Sequence, residues 1–73
     1  MNREHMAKKL RELRGYIPRK VVAEELNISV SALSAYENGA RVPSDDLKVR
    51  FAKYYKSTVS AIFFADENNV TCD

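Results

Sequence analysis

The sequence predicts an all-α domain, and three observations carry the prediction. Apolar residues recur at helical spacing, as at Met6, Leu10 and Leu13. A Ser, Thr or Asn stands ahead of most of these stretches, where a helix needs its first free N–H groups satisfied. Nowhere does apolar and polar residue alternation mark a strand, and no internal repeat is present. The length of 73 residues sets the scale at one small domain.

Each element has its own justification. Residues 3–14 form an amphipathic first helix, capped by Asn2, with cations between its apolar positions and Gly15 at its end. Pro18 suits the start of a second helix, 18–26, whose inner residues are Val22, Ala23 and Leu26. Ser29 caps a third helix, 29–37, buried through Leu33 and Tyr36 and stopped by Gly39. Residues 40–43 are loop. Ser44 then caps a fourth helix, whose first-turn Asp45 and Asp46 complement the helix dipole. Its inner face is Leu47, Phe51, Ala52 and Tyr55. Thr58 opens a short fifth helix carrying Ile62 and Phe63. The domain therefore spans residues 1–65, and 66–73 read as a flexible acidic tail.

Composition narrows the function. Apolar residues make up 45% and charged residues 30%, a balance that fits a folded, soluble chain and argues against disorder. The single cysteine, Cys72, leaves no internal disulfide and no Cys-rich zinc site. No apolar stretch follows the N-terminus as in a signal peptide, and the most apolar window, 59–65, is too short to span a bilayer. The expected location is cytoplasmic. A core this small leaves about 3–5 kcal/mol of stability, too little for an elaborate enclosed catalytic cleft. Charge is unevenly spread. Residues 1–20 carry seven Lys/Arg against two Glu, whereas 57–73 carry three acidic residues and no cation. A basic front predicts an anionic partner, although a solvated helix face explains such a charge run equally simply.

The informative stretch is 19–38, RKVVAEELNISVSALSAYEN. Two short helices meeting steeply across a tight turn need a small residue where their backbones approach, and Ala23 supplies one. The turn needs a residue that tolerates positive φ, and Asn27 is among the best after glycine. Ile28 inserts under the turn, and Val22, Leu33 and Tyr36 anchor the pair. All these requirements are met within twenty residues.

From Met6 to Phe63 the chain resembles the Cro/C1-type (XRE-like) helix-turn-helix family of bacterial and phage transcription regulators, notably small stand-alone members of Gram-positive bacteria. The match runs through Leu10 with Arg14, Val22-Ala23, Leu26, Ile28-Ser29 and Leu33. It continues through Tyr36-Glu37-Asn38-Gly39, Arg41, Pro43, Ala52 and Ile62-Phe63. The resemblance implies a compact five-helix, lambda-repressor-like domain that binds double-stranded DNA, with no cofactor and no metal. The third helix would lie in the major groove, with Val30, Ser31, Ser34 and Ala35 facing the bases. Arg19, Lys20, Asn38, Arg41 and the helix start at Ser44 would hold phosphates. Arg14 and Glu37 occupy the positions of a buried ion pair that ties the first helix to the end of the third.

The four base-facing residues are small. None can make the paired hydrogen bonds that Arg makes to guanine or Gln to adenine. Val30 and Ala35 can touch a thymine methyl or merely fill space, and the serines can bond several bases, so DNA shape must contribute. Departures from the family pattern cluster elsewhere. Pro18 replaces the usual Ser or Thr cap, Lys56 stands where Gly often ends the fourth helix, Ser57 replaces an apolar residue, and Asp45 and Asp46 flank a phosphate-binding turn. Tyr54 and Phe64 cannot both share the core with their neighbours, so at least one is expected to be exposed as a self-association surface. A two-fold homodimer would then read a palindrome with half-sites about 34 Å apart.

Two other classes compete with this reading. An enzyme is the weakest, since the single histidine, His5, has no catalytic or metal-ligand partner at a suitable spacing and no Gly-rich phosphate loop occurs. A protein-interaction module on the same fold, antitoxin-like or anti-repressor, is the stronger rival. The thin readout chemistry favours it, and Arg19, Asn38 and Arg41 favour DNA.

Overall fold

Four helices begin at a side chain whose oxygen accepts a hydrogen bond from the backbone N–H three residues on. In the computed structural model of the protein, which describes residues 2–64, Asn2 accepts from His5 at 3.1 Å and Ser29 from Ala32 at 3.0 Å. Ser44 accepts from Leu47 at 3.3 Å and Thr58 from Ala61 at 3.0 Å. Each cap satisfies an otherwise orphan donor and stabilises its helix by about 1 kcal/mol. The helices so defined are α1 (Arg3–Arg14), α3 (Val30–Glu37), α4 (Asp45–Tyr54) and α5 (Val59–Phe63). The remaining one, α2 (Arg19–Leu26), starts differently. Pro18 is its N-cap rather than its first residue, and it offers no side-chain acceptor. The described residues contain these five helices and no strand. The expected acidic tail, 66–73, and Cys72 lie outside the described residues.

Three helix ends close with the same turn. A residue in the left-handed conformation is followed by an N–H that reaches back five residues to a helical carbonyl, and its own N–H reaches back three. After α2 the residue is Asn27 (φ 57°), with Ile28 N–H on the Ala23 carbonyl at 2.9 Å. After α3 it is Gly39 (φ 75°), with Ala40 N–H on Ala35 at 2.9 Å. After α4 it is Lys56 (φ 55°), with Ser57 N–H on Ala52 at 2.8 Å. A Cβ at Gly39 would stand 3.4 Å from the Arg3 carbonyl oxygen, so the start of α1 lies close against this turn. Lys56 holds a side chain in the same left-handed region, which costs about 1–2 kcal/mol.

The helices enclose one core. Met6 and Leu10 enter from α1, Val22, Ala23 and Leu26 from α2, Leu33 and Tyr36 from α3. Leu47, Phe51 and Ala52 come from α4, Ile62 and Phe63 from α5. Phe51 lies at the centre, edge-on to Tyr36 (6.0 Å between ring centres) and near Phe63 (6.3 Å) and Tyr55 (6.2 Å). Burying each such ring contributes about 1.5–3 kcal/mol, so the aromatic cluster is a large part of what a domain this small can assemble. The packing of α3 onto α1 and α2 leaves the opposite side of α3 facing solvent.

Candidate nucleic-acid interface

The exposed side of α3 is built from short side chains. Val30 is 45% exposed, Ser31 is exposed, and Ser34 and Ala35 are half-buried. Asn38, one turn beyond Ser34, is exposed and donates from Nδ2 to Ser34 Oγ at 3.4 Å. At about 100° per residue these five positions fall on one arc of the helix, while Leu33 and Tyr36 occupy the buried side. The arc offers methyl groups, hydroxyls and one amide. It carries no charge.

Glu37 ends the helix, and its side chain is completely buried. Arg14 Nε donates to one carboxylate oxygen at 2.7 Å, and Arg19 Nε donates to the other at 2.9 Å. Arg11 Nη1 donates to the Glu37 backbone carbonyl at 2.6 Å, and Arg14 Nη1 to the Ile17 carbonyl at 3.0 Å. Two arginines of α1 and the first residue of α2 thus converge on the last residue of α3. Such charge-assisted bonds fix the direction of the helix as well as its position. The Arg14–Glu37 contact is the ion pair that the family resemblance implies. The contact of Arg19 with the same carboxylate has no counterpart in that reading, which gave Arg19 to phosphate alone.

The other expected phosphate holders lie at the start of α2, beyond the end of α3 and at the start of α4. Lys20 is exposed beside Arg19 at the start of α2. Arg41 is exposed beyond α3, with its guanidinium over the Tyr36 ring at 5.7 Å. Ser44 is exposed, but its hydroxyl is occupied by the Leu47 N–H, so what it presents to a ligand is the helix start rather than a free side chain. The two acidic residues there turn to cations of their own helix: Asp45 lies 3.5 Å from Lys48 Nζ and Asp46 3.4 Å from Arg50 Nε. These pairings offset part of the negative charge beside the turn.

Tyr54 and Phe64 depart from expectation. Neither is exposed; both are half-buried against the core. Tyr54 sits edge-on to Tyr55 at 5.1 Å, and the Lys48 ammonium lies over the Phe64 ring at 5.0 Å. Phe64 achieves this because it follows the last turn of α5 as its C-cap, where the chain leaves helical geometry and the helical-face argument no longer applies. His5 is also half-buried, with Nε2 3.3 Å from the Ala61 carbonyl oxygen.

Sequence reasoning missed Arg11 and Arg50. Arg50 Nη1 donates to the Leu26 carbonyl at 2.7 Å and so ties α4 to the end of α2. Its i, i+4 spacing from Asp46 was readable, but the reach to a distant backbone carbonyl leaves no local signal. Tyr55 Oη is buried with no hydrogen-bond partner among the described residues. Burial, reinforced by the negative charge of Glu37, pushes the Tyr55 phenol well above its ordinary pKa of 10. The described residues hold no cluster of His, Cys, Asp or Glu suited to a metal ion, and no helix among them is long and apolar enough to cross a membrane.

Comparison with curated proteins found no match, and comparison with solved structures found none either. A family model described as Helix-turn-helix matches residues 8–62, a span that takes in the end of α1, the whole α2–α3 unit, α4 and most of α5. With three quarters of its length matched and α2, Asn27 and α3 disposed as that motif requires, the chain belongs to the Cro/C1-type helix-turn-helix family of DNA-binding transcription regulators.

Proposed function

We propose that the protein binds a two-fold DNA site as a homodimer, lays α3 in the major groove and represses by occupying that site. The observation that carries this reading is the uncharged arc of Val30, Ser31, Ser34 and Ala35, flanked by Arg19 and Lys20 on one side and Arg41 on the other. Cations at the edges attract phosphates, and small residues between them let the helix approach the base edges. Val30 and Ala35 meet thymine methyls, Ser31 and Ser34 hydrogen-bond to base edges, and sequence-dependent groove shape supplies the remaining discrimination. Arg19, Lys20, Asn38, Arg41 and the N–H groups at Ser44 hold the backbone. Repression needs only occupancy.

Selection of the purified protein against a random duplex pool at physiological salt tests this. Enrichment of a palindrome with half-sites about 34 Å apart is the expected result. A folded protein that enriches no sequence would contradict groove reading.

A second reading, an antitoxin-like or anti-repressor module that docks a protein, is favoured by Tyr16, which is fully exposed beside the partly exposed Ile17 and Val21. Salt separates the two. DNA affinity falls with a logarithmic slope of about 0.9 per phosphate neutralised, whereas apolar docking is nearly indifferent to salt.

A further inference from the structure

Two arginines share the Glu37 carboxylate, and they are not equivalent. Arg14 is 17% exposed, and its Nη1 is already engaged by the Ile17 carbonyl. Arg19 is 38% exposed and bonded to Glu37 only through Nε, and its Nη groups have no hydrogen-bond partner among the described residues. A guanidinium is a rigid plane of five N–H donors. Fixing it at Nε removes its freedom to swing while leaving the Nη edge open to a second anion. With one carboxylate between two guanidiniums, the cluster also keeps one net positive charge.

From this we infer that Glu37 is a positioning residue for DNA binding: it holds Arg19 by Nε so that the two Nη groups meet a backbone phosphate in a preset orientation. The inference rests on the reading in which Arg19 grips DNA, and it adds a dependence of that grip on the buried end of α3. Preorganisation lowers the ordering cost of the contact, which a mobile surface cation would have to meet at binding. It also requires arginine. A lysine ammonium is a point charge on a flexible stem, so it can serve the carboxylate or the phosphate but not bridge them in fixed geometry.

The test uses a mixed-sequence duplex of about 30 base pairs, with affinity measured across a range of salt and corrected for the folded fraction of each variant. Arg19→Ala is expected to weaken binding about tenfold and to lower the salt slope by about 0.9. Arg19→Lys keeps the formal charge, yet is expected to match Arg19→Ala within about threefold and to lose the same slope. Glu37→Gln removes a negative charge, which on electrostatics alone strengthens DNA binding; here it is expected to weaken binding, and to weaken it clearly less in the Arg19→Ala background, where only the Arg14 anchor of α3 is left to lose.

An Arg19→Lys variant with wild-type affinity and slope would overturn the inference. So would a folded Glu37→Gln variant that binds more tightly, or one that weakens the Arg19→Ala protein as much as the wild type. Should Glu37→Gln not fold, the two Arg19 variants decide the matter alone. Failure of the wild-type protein to bind the duplex would overturn the DNA reading itself, a result distinct from all of these.

Discussion

The two ends of α3 are built on opposite plans. At its start, Val30, Ser31 and Ser34 are short and, among the described residues, carry no side-chain bond outside their own helix and its cap. At its end, Glu37 is fully buried and receives three arginines, and Gly39 closes the turn against the backbone of Arg3. The contrast separates two tasks that a DNA-reading helix must perform. Direction is set where the helix is anchored, and anchoring requires strong, directional, buried bonds. Reading happens where it is exposed, and there the residues can change at little cost to the fold.

The comparison can be broken most severely at the anchored end. Glu37→Ala leaves Arg14 and Arg19 without their shared carboxylate and is expected to cost about 3–5 kcal/mol, as for other buried ion pairs broken from one side. That loss is comparable to the whole stability expected of the domain, so urea denaturation should find the variant largely unfolded at 37 °C. A folded variant with near wild-type stability would mean that the cluster is not an anchor.

Gly39→Ala acts on the same end through the backbone. It forces an L side chain into φ 75° and brings its Cβ to 3.4 Å from the Arg3 carbonyl oxygen, for an expected loss of about 1–2 kcal/mol. The opposite change at the equivalent turn of α4, Lys56→Gly, relieves a φ of 55° and is expected to gain about 0.5–1 kcal/mol after the greater unfolded-state entropy of glycine is counted. Equal and opposite effects are not expected, because a Cβ at Gly39 also meets the Arg3 carbonyl oxygen at 3.4 Å.

Tyr55 sharpens the account of the charged end. Tyr55→Phe removes a buried hydroxyl that has no partner among the described residues and is expected to gain about 1 kcal/mol. Its pH dependence has a definite sign. The folded-state pKa is raised, by burial first and by Glu37 second, so the phenol's contribution is fully present below the ordinary value of 10 and is lost as pH rises above it. The alkaline fall in stability of the wild-type protein should therefore be shallower in Tyr55→Phe. Identical alkaline profiles would show that Tyr55 does not contribute to it.

At the reading end, Ser31→Ala should change stability by less than about 0.5 kcal/mol. Its expected effect is on base preference at one position of the enriched site. A loss of stability comparable to that of Glu37→Ala would erase the contrast between the two ends.

Much of this was legible in the sequence, and the physical reason is range. The caps at Asn2, Ser29, Ser44 and Thr58 and the positive φ at Asn27 were readable because they depend on a residue and its own next few neighbours. The core residues were readable from period alone. Pairings across the fold were not. The family resemblance gives Arg19 to phosphate, and nothing local marks its turn toward Glu37, eighteen residues away. Arg50 on the Leu26 carbonyl and Lys48 over Phe64 are equally silent. The expectation that at least one of Tyr54 and Phe64 is exposed fails because the helical-face argument does not hold where the helix has already ended or another ring covers the position.

The central claim is that α3, held at Glu37, presents its exposed arc to DNA. Residue-by-residue amide shifts in a ¹⁵N-labelled protein titrated with duplex DNA test it most directly. The account predicts perturbations concentrated at 19–20, 29–35 and 38–44, with the buried faces of α1 and α5 little changed. Shifts confined to α5 and the outer face of α1, with residues 29–35 unmoved, would contradict it.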